Sequence, residues 1–190
     1  LATPDTWEVA LSTGKDKKET WERLITEGAL GGLALLRNLR NMKEAGVSEK
    51  AIFAGLNNMN TERILPFRFI SAAKYAPQWE AQIEPVMLKC LEGKDKLPGK
   101  TALVVDGSGS MFGTAISAKS EIDRFEAATA LAILVREICE RCAVVVFSNN
   151  ASLVPARRGF ALRDALYSQA ERSGTNTQNG IMKAAQEGYD

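Results

Sequence analysis

The 190-residue sequence contains no histidine. Within this chain that absence removes the Ser-His-Asp and Cys-His nucleophile arrangements and every histidine-ligated metal site. Cysteine is scarce too: Cys90, Cys139 and Cys142 are too few, and odd in number, for a secreted disulfide framework. A reducing compartment follows, and the expected location is cytoplasmic. No apolar run approaches the ~20 residues that span a bilayer, and LATPDTWEVA lacks the basic-then-apolar order of a leader. No membrane partner is expected. The formal net charge is only +1, so a nucleic-acid surface must come from local clustering. What is present is an ordinary globular composition, 45% hydrophobic and 25% charged.

Two textures meet near residues 93 to 100. Before GKDKLPGK the pattern is helical and the segments are short: PDTWEVALS, KKETWERLITEG, ALGGLALLRNLRNMKEAG, SEKAIFAGLNN, ERILPFRFISAAKYA and PQWEAQIEPVMLKCLEG. Trp21, Leu24, Ile25 and Gly28 fall on the i, i+3, i+4, i+7 spacing of one buried face. Pro4, Asp5 and Glu8 look like a helix start. Short helices with tight turns predict stacked antiparallel pairs, a HEAT-like α-solenoid segment.

After the junction the order is strand, helix, strand, strand, helix, helix. TALVVD is an uninterrupted apolar run, the form of a central parallel strand. The helix that follows is expected to open at Ser120, on a Ser-x-x-Asp start. AVVVFS, Asn149-Asn150 and ASLVP predict a hairpin, because asparagine tolerates the positive φ of tight turns. LRDALYSQA and TQNGIMKAAQEG are the last two helices. This is the order of a doubly wound α/β domain, whose ligands sit beyond the carboxyl ends of its strands.

At that end of TALVVD stand Asp106, Ser108 and Ser110. Alternate residues of an extended turn face the same way, so a carboxylate and two hydroxyls can converge. These are hard oxygen donors, suited to Mg²⁺, Ca²⁺ or Mn²⁺ and poor for zinc or copper. Other motifs fail on spacing. A dinucleotide fingerprint needs glycine where Phe112 stands, and a nucleophile elbow needs glycine where Asp106 stands. An aspartyl phosphatase would want a carboxylate at Ser108. In the bland reading, Ser108 and Ser110 are turn formers in a glycine-rich loop. Cys139-x-x-Cys142 straddles a predicted helix end and strand start with no histidine to complete a site, which favours structural cysteines.

Basic residues gather locally. Arg37 and Arg40 lie about 60° apart on a helix, beside a Leu33, Leu36, Leu39 face, with Lys43 a turn further on. Such a stripe can meet phosphates. Yet Glu44 lies four residues beyond Arg40 and can pair with it. Lys15, Lys17 and Lys18 form a second cluster in a predicted loop, and Arg68 lies on the fifth helix.

Asp106-x-Ser108-x-Ser110 after an apolar strand resembles the metal-ion-dependent adhesion site of von Willebrand factor A domains, and SGTNT at 173 to 177 resembles that site's second loop. The resemblance implies Thr175 as a ligand; its bland reading is a turn residue or helix cap. LGGLALLRNLRNM and ILPFRFISAAKYA, just upstream, are similar to the TROVE module of the Ro autoantigen family. Members of that family bind small noncoding RNAs and misfolded RNAs. The implied organisation is the C-terminal part of a TROVE-like RNA-binding module at 1–95, then the N-terminal part of a von Willebrand A-like domain at 96–190. A second aspartate ligand and another strand beside TALVVD are expected beyond Asp190, so the chain reads as an internal fragment with an aggregation-prone edge.

The expected function is a non-enzymatic RNA-binding scaffold of a small noncoding-RNA ribonucleoprotein, active in RNA quality control. The expected cofactor is Mg²⁺ foremost, with Mn²⁺ or Ca²⁺ as alternatives, and an acidic protein group is a candidate ligand for that cation. The alternative is a metal-dependent adhesion module that binds no RNA. A metal-assisted hydrolase ranks last, because no general base accompanies Asp106.

Overall fold

The computed structural model describes residues 7–12, 14, 16–118, 120 and 122–189. The chain folds as two compact units, Leu1–Cys90 and Leu91–Asp190. Among the described residues no helix is long and apolar enough to cross a membrane.

The first unit is helical: α1 Trp7–Ser12, α2 Lys17–Thr26, α3 Gly32–Glu44, α4 Glu49–Asn58, α5 Pro66–Tyr75 and α6 Glu80–Lys89, the last entered through a 3-10 turn at Pro77–Trp79. Pro4 and Asp5 of the expected first helix start lie outside the described residues. Local chemistry sets the boundaries. Asp16 caps α2 by accepting from the Glu19 amide at 2.9 Å. Pro66 opens α5, where its missing N–H costs nothing. Past the end of α3, Gly46 at φ 72° lets the Val47 amide reach back to the Met42 carbonyl.

Helices two apart pack together, α2 on α4, α4 on α6 and α3 on α5, and so do the consecutive pairs α3 and α4, and α5 and α6. Trp21, Leu24, Leu39, Met42, Ile52, Phe69 and Ile83 fill the core. Polar bonds pin the same neighbours. The Ser48 amide donates to Glu22 and the Trp79 indole to Glu49, each at 2.9 Å. The Ser48 bond holds the Glu22 carboxyl below its usual range.

Two faces differ from the expected ones. Leu33 is exposed, and the buried face of α3 is Leu35, Leu36, Leu39 and Met42. Gly28 lies past the end of α2 at φ 65°, turning the chain instead of lining a face.

The second unit is a three-stranded mixed sheet with helices. β1 Leu97–Asp106 pairs in parallel with β2 Cys139–Phe147, and β2 pairs antiparallel with β3 Ala151–Val154. α7 Arg124–Ile138 makes the crossover and runs straight into β2. α8 Gly159–Gln169 packs on α7 and β3, and α9 Thr177–Gln186 on all three strands. The hairpin is present, with Phe147 opposite Ala151, but neither Asn149 nor Asn150 takes the positive φ expected of it.

Among the described strands TALVVD pairs on one side only, with β2, and β2 is paired on both sides. Burial follows that order. Val144 to Phe147 are buried, whereas Leu103 and Val104 are only half-buried. α7 starts three residues later than Ser120 implies. Its capping box is Asp123 with Glu126, and the second Asp123 oxygen accepts from the Gly113 amide at 3.0 Å. A bridge between Ala115 and Asp123 closes the intervening loop and leaves Ser120 outside the helix.

Candidate metal centre and nucleic-acid surface

The parallel register places Asp106 beside Phe147, so the loops after β1 and β2 leave the sheet together. Asp106 Oδ1 accepts from the Ser108 amide at 2.8 Å, which curls the chain and brings Ser108 Oγ within 3.4 Å of Ser110 Oγ. Ser108 is buried, Asp106 half-buried and Ser110 exposed. Gly107 and Gly109 are required by crowding. A Cβ on Gly107 would meet Val146 and Ala170 at 2.9 and 3.0 Å, and one on Gly109 would stand 3.0 Å from the Arg172 carbonyl.

That crowding comes from the loop between α8 and α9, which carries Thr175. The Gly109 amide donates to the Ser173 carbonyl at 2.9 Å, and the Arg172 amide to the Gly107 carbonyl at 3.1 Å. Gly174 lies so close to Asn149 that a Cβ would come within 2.4 Å of its side-chain oxygen. Thr175 itself is exposed, and the cap of α9 is Asn176, so capping does not occupy the threonine. The structure thus brings the Asp106-to-Ser110 loop and the Thr175 loop side by side. Glu171 supports the second loop by accepting from the Asn150 side chain at 2.9 Å and from Ser173 Oγ at 3.2 Å. The Asn150 bonds hold its carboxyl below the usual range.

Among the described residues no three histidine, cysteine or acidic side chains gather into a metal-holding cluster. A cation beside Asp106 would therefore depend on hydroxyl oxygens for most of its protein ligands. Asp106, Ser108 and Ser110 fit that chemistry, being oxygen donors on one tight turn. Cys139 and Cys142 are free thiols on β2. Burial, aided by Cys139, pushes the Cys142 thiol up to about 11, a structural and unreactive setting.

The basic residues fall in three places. Arg37, Arg40 and Lys43 are exposed along α3. Arg40 pairs with Glu44 at 3.8 Å and stacks on the Tyr75 ring 5.5 Å away, while no ion pair engages Arg37 or Lys43 among the described residues. Arg68 is exposed on the first turn of α5 and lies 4.8 Å from the Phe67 ring centre. Lys17 and Lys18 form the first turn of α2 and not a loop, because Asp16 caps the helix just before them. Lys15 lies outside the described residues.

The model of the family described as TROVE domain matches residues 1–93. That segment, just under half of the chain, is similar to the TROVE module of the Ro autoantigen family. Telomerase protein component 1 of Mus musculus is 37% identical over 89 residues, and that of Rattus norvegicus 36%; each match covers 44% of this chain and 3% of the relative. A crystal structure of the Ro (RSR) protein of Deinococcus radiodurans superposes with a TM-score of 0.62 at 18% identity, over 94% of this chain and 41% of that one. At that identity the likeness is one of fold. The chain thus spans 3% of the length of the two telomerase components and 41% of the Deinococcus protein.

Sequence reasoning missed the residues that join the two loops: Ser148, Glu171, Ser173 and Asn176. SNN at 148 to 150 reads as a hairpin turn and nothing more. Its second role depends on contacts across 21 to 41 positions of chain.

Proposed function

We propose that this protein is a non-enzymatic RNA-binding component of a small noncoding-RNA ribonucleoprotein that serves RNA quality control. The observation that carries the reading is the exposed Arg37, Arg40, Lys43 face of α3, inside the segment that matches the TROVE domain. On this reading α1 to α6 are part of a HEAT-like solenoid. Guanidinium and ammonium groups on it contact phosphates, with Lys15, Lys17, Lys18 and Arg68 adding charge.

The second unit is read as a von Willebrand A-like domain. Asp106, Ser108, Ser110 and Thr175 would hold a divalent cation, Mg²⁺ foremost, which supplies a Lewis-acidic anchor for an acidic group of a protein partner. Support comes from the donor chemistry of the turn and from its packing against the Thr175 loop. The chain's own part is to bring neutral oxygens together on backbone hydrogen bonds. The hydroxyls of Ser108 and Ser110 face each other and no base, so no reaction is assigned to them.

Binding of full-length protein to single-stranded and to structured RNA, measured on filters across a salt series, tests the reading. Affinity that falls steeply with salt supports it. No binding at low salt favours the second reading, a metal-dependent adhesion module without RNA. The observation behind that alternative is that Arg40 and Arg68 already have ring partners, and Arg40 a carboxylate as well.

A further inference from the structure

Ser148 sits at the end of β2, is 1% exposed, and belongs to neither candidate metal loop. Its hydroxyl donates to the Gly107 carbonyl at 2.7 Å. That carbonyl lies between Asp106 and Ser108 and also accepts from the Arg172 amide at 3.1 Å. Both acceptor positions of one oxygen are therefore used, one by the strand end and one by the Thr175 loop. The backbone of Ser148 works in the other direction. Its carbonyl accepts from the amide of Asn176, the residue after Thr175, at 2.7 Å. Its own amide donates to the Asn150 carbonyl at 2.8 Å, which fixes it at the hairpin.

We infer that Ser148 is a positioning residue that sets the spacing between the Asp106, Ser108, Ser110 turn and Thr175, and so sets the affinity of the site for a divalent cation. The inference rests on the cation reading above. The physical reason is preorganisation: a site built mainly of neutral oxygens has little charge to organise it, so donor spacing has to be held by the protein. Without the hydroxyl, the Gly107 carbonyl keeps only the Arg172 amide, and the Gly107 amide on the Phe147 carbonyl, at 2.7 Å, is left to hold the turn to the end of β2, so its spacing loosens. A buried serine that merely filled space would have no such effect. Thr129 supplies the contrast, since it is 0% exposed and its hydroxyl has no hydrogen-bond partner.

The test compares Ser148→Ala, Ser148→Thr and Thr129→Ala in the full-length protein by two readouts: Mn²⁺ affinity from electron paramagnetic resonance, and amide exchange at Gly109, Arg172 and Asn176 without metal. Ser148→Ala is expected to weaken Mn²⁺ binding about tenfold, as loss of a supporting hydrogen bond does at other metal sites, and to speed exchange at those amides. Thr129→Ala is expected to change neither. Ser148→Thr, which keeps the hydroxyl, is expected to restore most of the affinity. Wild-type affinity together with wild-type exchange in Ser148→Ala overturns the inference. A wild-type protein that binds no Mn²⁺ overturns the cation reading instead, and the exchange data, which need no metal, then decide the role of Ser148 alone.

Discussion

Arg158 grips Glu137 through two hydrogen bonds, Nε to Oε1 at 2.9 Å and Nη2 to Oε2 at 2.5 Å. The Glu137 side chain is 8% exposed and that of Arg158 is 59% exposed. Glu137 lies in the last turn of α7 and Arg158 is the N-cap of α8, so the pair staples the end of one helix to the start of the other.

This staple makes part of the stability depend on acid. Burial opposes ionisation of Glu137, but the hydrogen bonds and charge of Arg158 prevail, and the carboxyl titrates below its ordinary value of 4.5. A depressed folded pKa contributes stability that is fully present above that ordinary value and is lost as pH falls through the folded one. Glu137→Gln should cost about 1–3 kcal/mol at pH 7. The gap between mutant and wild type should narrow as pH falls below the ordinary value of 4.5, as read by urea unfolding at a series of pH values. A gap that is constant with pH would contradict this.

Gly180 is held by crowding and not by turn geometry. A Cβ there would stand 2.7 Å from Val104 Cγ1 and 2.9 Å from Phe147 Cδ1, where α9 crosses the sheet. Gly180→Ala gains about 1 kcal/mol of helix propensity, yet overpacking costs about 1–3 kcal/mol. Gly180→Val should cost clearly more. Thermal unfolding should rank glycine first and valine last.

Cys142 should alkylate slowly. With its thiol at about 11 against an ordinary 9.0, iodoacetamide at pH 7.5 should label it about a hundredfold more slowly than a free thiol, from thiolate fraction alone. Rapid labelling of the native protein, located by mass spectrometry, would contradict the buried setting of β2.

For the metal turn, Asp106→Ala should abolish Mg²⁺ binding and leave the helical unit folded, since that unit is compact by itself. Calorimetry that found undiminished affinity would remove Asp106 from the site.

The helices of the first unit were legible because leucine and isoleucine recur at helical spacing and breaks such as GKDK and NNMN separate them. The hairpin was legible because Asn149-Asn150 interrupts two apolar runs. The start of α7 was not. Both Ser120-x-x-Asp123 and Asp123-x-x-Glu126 satisfy the local rule, and the choice is made by the Gly113 amide, ten residues upstream. The β1–β2 pairing was legible because two continuous apolar runs joined by a long helical crossover read as neighbouring parallel strands. In the candidate metal site the oxygen donors could be read from one short turn. The Ser148 bond to Gly107 could not, since it spans 41 positions and leaves no local pattern.

The central claim is that α3 presents phosphate-binding charge. Its most direct test is the salt dependence of RNA affinity for the full-length protein and for the Arg37→Gln, Arg40→Gln double variant. Phosphate contacts predict weaker binding to every RNA sequence alike, and a log-log salt slope flatter by about one to two units. An unchanged slope and affinity in the double variant would contradict the account.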